Sequence, residues 1–199
     1  KKIPNKLNDP LFAPKPTPTE IKHTQAFRDT TGNYLFQSAL NEKGIKLSID
    51  TLRRIKAVIV VGPVESSTKH YIDEQKEVAD FLKTIGVQVK EFYYPNANWE
   101  DIKEGSKDAN IFIYSGHGIT LGEKELSGTL YLAEGLIYSE HIIEGLKLHK
   151  NSLVIFNHAC SSAGSSASDR KDIGIKEAVQ RVGDYAKPFI KLNAGGYYA

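Results

Sequence analysis

Methionine does not occur in this 199-residue sequence, and cysteine and tryptophan occur once each. Without an initiator, the chain is expected to start downstream of something removed or not included. The single cysteine, Cys160, excludes an internal disulfide framework and a multi-cysteine metal site. It fits either side of a membrane, which leaves an extracytoplasmic and a cytoplasmic location both open. No apolar run reaches the roughly 18 residues of a membrane helix, so no membrane span is expected. No signal-peptide pattern is visible. A surplus of one charge is also missing. Twenty-six Lys and Arg stand against 24 Asp and Glu, and the two signs are interleaved, so nucleic acid is not an expected partner. His23, His141 and His149 lack metal-ligand spacing, so no metal or other cofactor is expected.

What is present suits one core: 40% of the residues are hydrophobic. Five of the eight prolines fall in the first twenty residues, KKIPNKLNDPLFAPKPTPTE. Residues 1–33 therefore read as an N-terminal linker or strap and 34–199 as the domain, with its core in 56–199. Tyr34–Asn41 and Ile49–Ile55 suggest short helices. Ala57–Val61 (AVIVV), Ile111–Tyr114 (IFIY) and Leu153–Phe156 (LVIF) have the continuous apolar character of strands buried on both faces. Residues 71–85 place Ile72, Val78, Ala79, Leu82 and Ile85 on one helical stripe that Gly86 stops.

Val87–Tyr93 alternates as a strand, and Asn98 or Asp101 is expected to cap a short helix reaching Lys107. Residues 119–132 suggest a hairpin, Ser139 a cap for the helix EHIIEGLK, and Asp172–Tyr185 a further helix. Phe189–Leu192 is expected to be a fifth strand after Pro188. Tyr93, Tyr94 and Trp99 read as core or rim packing. Strands alternating with helices predict an α/β fold, a three-layer sandwich with a mostly parallel central sheet.

In open parallel sheets, ligands bind beyond the carboxyl ends of the strands. Three such ends stand out: AVIVV runs into GPVESSTKH, IFIY into SGHG, and LVIF into NHACSSAGSS. If those strands are neighbours, His117 and Cys160 leave the same edge. Cysteine catalysis needs a histidine near the thiol and a small-residue turn for the substrate. Gly116 and Gly118 allow tight backbone geometry and a free N–H for an oxyanion, and the Cys160 N–H is a second donor. Taken singly, Cys160 also reads as a buried small hydrophobe and SGHG as an ordinary turn. Their joint occurrence favours chemistry.

With IFIYSGHG, the connection GTLYLAEGLIYSEHIIEGLKLHK and LVIFNHACSS together, the chain resembles the caspase-like cysteine peptidases over about residues 56–199. That group includes caspases, gingipains, clostripain, separase and bacterial CHAT domains, and the bacterial members are nearest. The resemblance implies a caspase-hemoglobinase-like fold and a His117/Cys160 dyad cleaving peptide bonds through a thioester. It places the oxyanion between the N–H groups of Gly118 and Cys160, and makes a protein or peptide the expected partner. In these families the residue two before the cysteine commonly lines the primary specificity pocket. Here it is His158, with Glu65, His70 and Asp169 as further wall candidates that read equally as solvated loop residues.

The tail KPFIKLNAGGYYA resembles the strand that follows the cysteine helix in such enzymes. It raises the expectation of self-processing, with this chain paired to a C-terminal fragment of the same precursor. The alternative is a catalytically silent caspase-like interaction module. A serine esterase is disfavoured because no G-x-S-x-G elbow occurs.

Overall fold

The computed structural model describes residues 48–119, 128–166, 169 and 171–199. The expected strap, the helix at Tyr34–Asn41 and nearly all of the first hairpin arm lie outside the described residues. From Ser48 onward the chain forms one compact unit.

Local chemistry sets the element ends. Helix α1 (Ile49–Leu52) is a single turn whose first donors are met by Ser48, the side chain of which accepts from Thr51 N–H. Strand β1 (Lys56–Val61) leads through a 3-10 turn at Glu65–Ser67 into helix α2 (Thr68–Thr84). Gly86 at φ +97° ends that helix, with Gly86 N–H on Lys83 O and Val87 N–H on Leu82 O closing a Schellman cap. Strand β2 (Gln88–Tyr93) follows, then helix α3 (Trp99–Gly105), capped as expected by Asn98 accepting from Asp101 N–H.

Strand β3 (Ile111–Ser115) precedes an antiparallel pair, β4 (Leu130–Leu132) and β5 (Gly135–Ile137). The GTLYLA segment thus supplies the first arm of a hairpin with β5, while the expected pairing with residues 119–122 lies almost wholly outside the described residues. Helix α4 (Ser139–Gly145) has Tyr138 at the cap position, so Ser139 begins the helix and does not cap it. Strand β6 (Leu153–Asn157), helix α5 (Gly174–Lys191) and strand β7 (Gly196–Tyr198) complete the described unit.

The central sheet has the order β2-β1-β3-β6-β7, and every neighbouring pair is parallel. Helices cover both faces. Val58, Val60, Phe112, Tyr114, Val154 and Phe156 point to one side, where Ile102 of α3, Ile142 of α4, and Tyr185 and Phe189 of α5 meet them. Ile59 and Ile113 point to the other and pack on Ala79 of α2. Both faces being buried explains why the core strands read as unbroken apolar runs. Tyr93 and Trp99 pack against different faces and Tyr94 is exposed, so the three do not form one aromatic cluster.

One expected strand is helix instead. Phe189–Leu192 continues α5 past Pro188, because Tyr185, Ala186, Pro188 and Phe189 form a single buried stripe. Proline there removes the N–H that would reach the Asp184 carbonyl. Gly128, at φ +83°, closes against that carbonyl so tightly that a Cβ would lie 2.5 Å from its oxygen. The fifth strand is the short GYY segment, beside β6.

Candidate active site

Register aligns the ends of the three core strands. Val61 of β1 pairs with Ser115 of β3, and Ser115 pairs with Asn157 of β6. The segments that follow, carrying Glu65, His117 and Cys160, therefore leave the sheet side by side at its carboxyl edge. Cys160 is a free, exposed thiol.

The two inner segments touch. A Cβ added to Gly118 would lie 1.7 Å from the Cys160 carbonyl oxygen and 2.5 Å from its nitrogen, so only glycine fits. Among the described residues, neither the Gly118 amide nor the Cys160 amide donates to another backbone group. Two more glycines serve the same edge. A Cβ at Gly116 would meet the Tyr114 hydroxyl at 2.4 Å, and one at Gly62 would meet the Tyr131 carbonyl at 2.0 Å.

Three tyrosines brace these segments from below. The fully buried Tyr114 hydroxyl lies 3.1 Å from the His117 carbonyl and 3.3 Å from the Tyr131 carbonyl, and accepts from Tyr131 N–H at 3.0 Å. Tyr185 of α5 donates to the Ile119 carbonyl at 3.1 Å, and Tyr197 of β7 to the Ser162 carbonyl at 3.2 Å. Burial pushes all three hydroxyls well above the ordinary tyrosine range, so they remain proton donors. The turn after the cysteine is also tied internally, by Ser161 N–H on Ser165 O and Ser162 Oγ on Ala159 O. His158 (φ +63°) and Ser161 (φ +66°) flank the cysteine in the left-handed region, which costs a non-glycine residue about 1 kcal/mol or more.

His117 does not lack a partner. Its Nε2 lies 2.9 and 3.1 Å from the two carboxylate oxygens of Glu65, a residue itself at φ +37°. An ionised carboxylate only accepts, so Nε2 carries the proton and, in the neutral ring, Nδ1 keeps the lone pair. The His117 ring also rests 5.8 Å from that of Tyr131. Glu65 thus meets His117 directly instead of standing alone in the loop.

His158 turns away to α2. Its ring stacks on Tyr71 at 4.6 Å and 19°, and its Nε2 lies 2.9 Å from Glu74 Oε2. His70 is largely exposed, 3.6 Å from the other Glu74 oxygen. Asp169 is committed elsewhere: it accepts from Ser166 N–H and from Arg181 Nη1, and these bonds hold its carboxyl below the ordinary range. Sequence reasoning had not singled out Tyr71, Glu74, Tyr114, Tyr185 or Tyr197. The i,i+3 spacing of Tyr71 and Glu74 on one helix was the available signal for the first two.

Among the described residues no group of three or more His, Cys, Asp or Glu is arranged to hold a metal ion, and no helix is long and apolar enough to cross a membrane. No protein-family model matches the chain, and no curated protein matches it.

Proposed function

We propose that the chain is a cysteine endopeptidase of caspase-like fold, with Cys160 as nucleophile and His117 as acid and base. The observation that carries this reading is the packing of Gly118 against the backbone of Cys160. It brings an exposed thiol, an imidazole held by a carboxylate and two amides that donate to no described backbone group to one sheet edge.

In the first step the Cys160 sulfur bonds to the scissile carbonyl carbon and its proton passes to His117 Nδ1. Charge accumulates on the carbonyl oxygen, where the Gly118 and Cys160 N–H groups stabilise it. The C–N bond then breaks as Nδ1–H protonates the leaving amine, and the acyl group remains on sulfur as a thioester. Water, deprotonated by the same nitrogen, releases the acid and restores the thiol. Glu65 is the positioning residue for the ring.

The test is incubation with a peptide library, read by mass spectrometry beside Cys160→Ala and His117→Ala. Cleavage by the unaltered protein alone supports the proposal. Identical blank profiles from all three sink it and favour an interaction module. Glu65→Ala is expected to lower kcat only about tenfold, because an ion pair this exposed is screened by solvent. KM should hardly move, since in this mechanism Glu65 acts through the ring and touches no substrate. Glu65→Gln, which keeps an acceptor oxygen, should retain more activity than Glu65→Ala. A fall confined to KM would remove the positioning role.

A further inference from the structure

We infer that the outer edge of strand β2 is a docking site for an extended acidic segment of a partner protein. Such a segment would extend the five-stranded sheet and set its carboxylates against Lys56 and Lys90. The site lies at the amino end of the strands, whereas His117 and Cys160 follow their carboxyl ends, so the inference does not depend on the peptidase reading.

The backbone comes first. β2 ends the strand order, so among the described residues it has a neighbour on one side only. A parallel strand directs alternate residues to each flank. Gln88 N–H reaches the Ile55 carbonyl and Tyr94 N–H the Val61 carbonyl, which assigns the even-numbered residues to β1. The N–H and C=O groups of Val89, Glu91 and Tyr93 therefore face outward, a row ready to receive another chain.

A groove accompanies that row. The register pairs Lys90 with Val58 and Phe92 with Val60, so both share the face that α3 covers. Helix α3 is only seven residues long and meets the strand at Phe92, where a Cβ on Gly105 would lie 2.5 Å from the ring. The amino half stays open, with Gln88 and Lys90 exposed. There a groove of about 490 Å³ has Lys56, Gln88, Lys90, Glu104, Gly105 and Lys107 among its walls.

Charge selects the occupant. Three lysines and one glutamate line the groove. That glutamate, Glu104, is already met: its hydrogen bond from Lys107 holds the carboxyl below the ordinary range, with Lys90 and Lys147 adding to the effect. Neither Lys56 nor Lys90 forms an ion pair with a described carboxylate. Two positive charges are thus unmatched, in a chain whose charges nearly cancel. Glu91 points to the opposite face, bonded to Lys83 and Tyr93. At the Phe92 end Asp101 joins Glu104 in the wall of an adjoining hollow, which confines the surplus to the amino half. Side chains two apart on an extended chain share a face at about 6–7 Å. Lys90 and Gln88 have that spacing, and Lys56 is paired beside Gln88. Acidic residues at alternate positions therefore suit the groove.

A second copy of this chain suits it poorly. In an antiparallel pair, outward-bonding residues must face outward-bonding residues. The two registers that pair most of β2 with itself set Lys90 against Lys90 or Glu91 against Glu91, and like charges directly opposite are destabilising.

The test uses the full chain and a labelled, capped peptide, Thr-Glu-Val-Glu-Val-Thr, beside a counterpart with lysine in place of each glutamate. Binding is read by fluorescence anisotropy, and backbone pairing by amide hydrogen exchange in NMR spectra. The glutamate peptide should bind at least about tenfold more tightly than the lysine peptide, and exchange should slow at Val89 and Glu91. Lys90→Glu and Lys56→Glu should each weaken binding about tenfold, whereas Lys176→Glu on α5 should leave it unchanged. The same spectra verify that each variant is folded. No binding at about 1 mM peptide, or binding that Lys90→Glu leaves intact, would overturn the inference. Binding without slower exchange at Val89 and Glu91 would also overturn it, by showing a lysine patch for anions instead of a strand edge. Protection of those amides that grows with protein concentration, without peptide, would put a second copy on the edge and overturn it as well.

Discussion

Gly118→Ala is expected to fall to the background activity of Cys160→Ala, although it retains both the thiol and the imidazole. The added carbon would sit 1.7 Å from the Cys160 oxygen, where ordinary contact begins near 3.4 Å. One backbone must retreat by more than 1 Å, and neither is free to do so. The His117 side is held by the Tyr114 and Tyr185 hydroxyls. The Cys160 side is held by Tyr197 on Ser162 and by Ser161 N–H on Ser165. Misplacing reacting groups by about 1 Å costs roughly 100-fold, so at least that loss in kcat/KM is expected. Gly183→Ala in α5 is the matched control, since nothing lies within 4 Å of a Cβ there. Its activity should equal that of the unaltered protein. Full activity in Gly118→Ala would mean that the two segments are not in contact during turnover.

Tyr114→Phe is expected to destabilise the fold by about 2–4 kcal/mol, measured by urea denaturation. The phenol oxygen serves two carbonyls and one amide in a fully buried site. Removing it strands the Tyr131 N–H and weakens the tether on His117, at about 1–3 kcal/mol for each group left unmet. An unchanged midpoint would show that these groups find other partners.

The same residue carries a pH signature. Burial raises the hydroxyls of Tyr93, Tyr114, Tyr185 and Tyr197 above their unfolded value of about 10. Between those two values the folded state holds more protons than the unfolded chain. The resulting stability is fully present below about pH 10 and is lost as pH rises beyond it. Tyr114→Phe should make that alkaline decline shallower, because one contributor is gone.

The sheet was readable because its central strands are buried on both faces, and AVIVV, IFIY and LVIF have few alternatives to a covered strand. The edge was harder. GYY is three residues, starts at the second of two glycines and carries no periodicity, whereas Phe189–Leu192 is apolar and follows a proline that normally ends helices. The distant Gly128 packs on the Asp184 carbonyl, the one that Pro188 leaves without its helical donor. Segment ends placed His117, Gly118 and Cys160 at one edge, since parallel neighbours share a carboxyl side. The pairings of Glu65 with His117 and Glu74 with His158 were not readable. They join residues far apart in the chain and depend on left-handed backbone at Glu65 and His158, which no local pattern announces.

The braces on the edge also set an order in time. Both segments that carry His117 and Cys160 are made before residue 165, yet two of their tethers come from Tyr185 and Tyr197. During synthesis the thiol and imidazole thus emerge well before the hydroxyls that fix them. Their alignment must wait for the C-terminal helix and strand to dock. A nascent chain on the ribosome would carry its reactive pair short of the two braces that Tyr185 and Tyr197 supply.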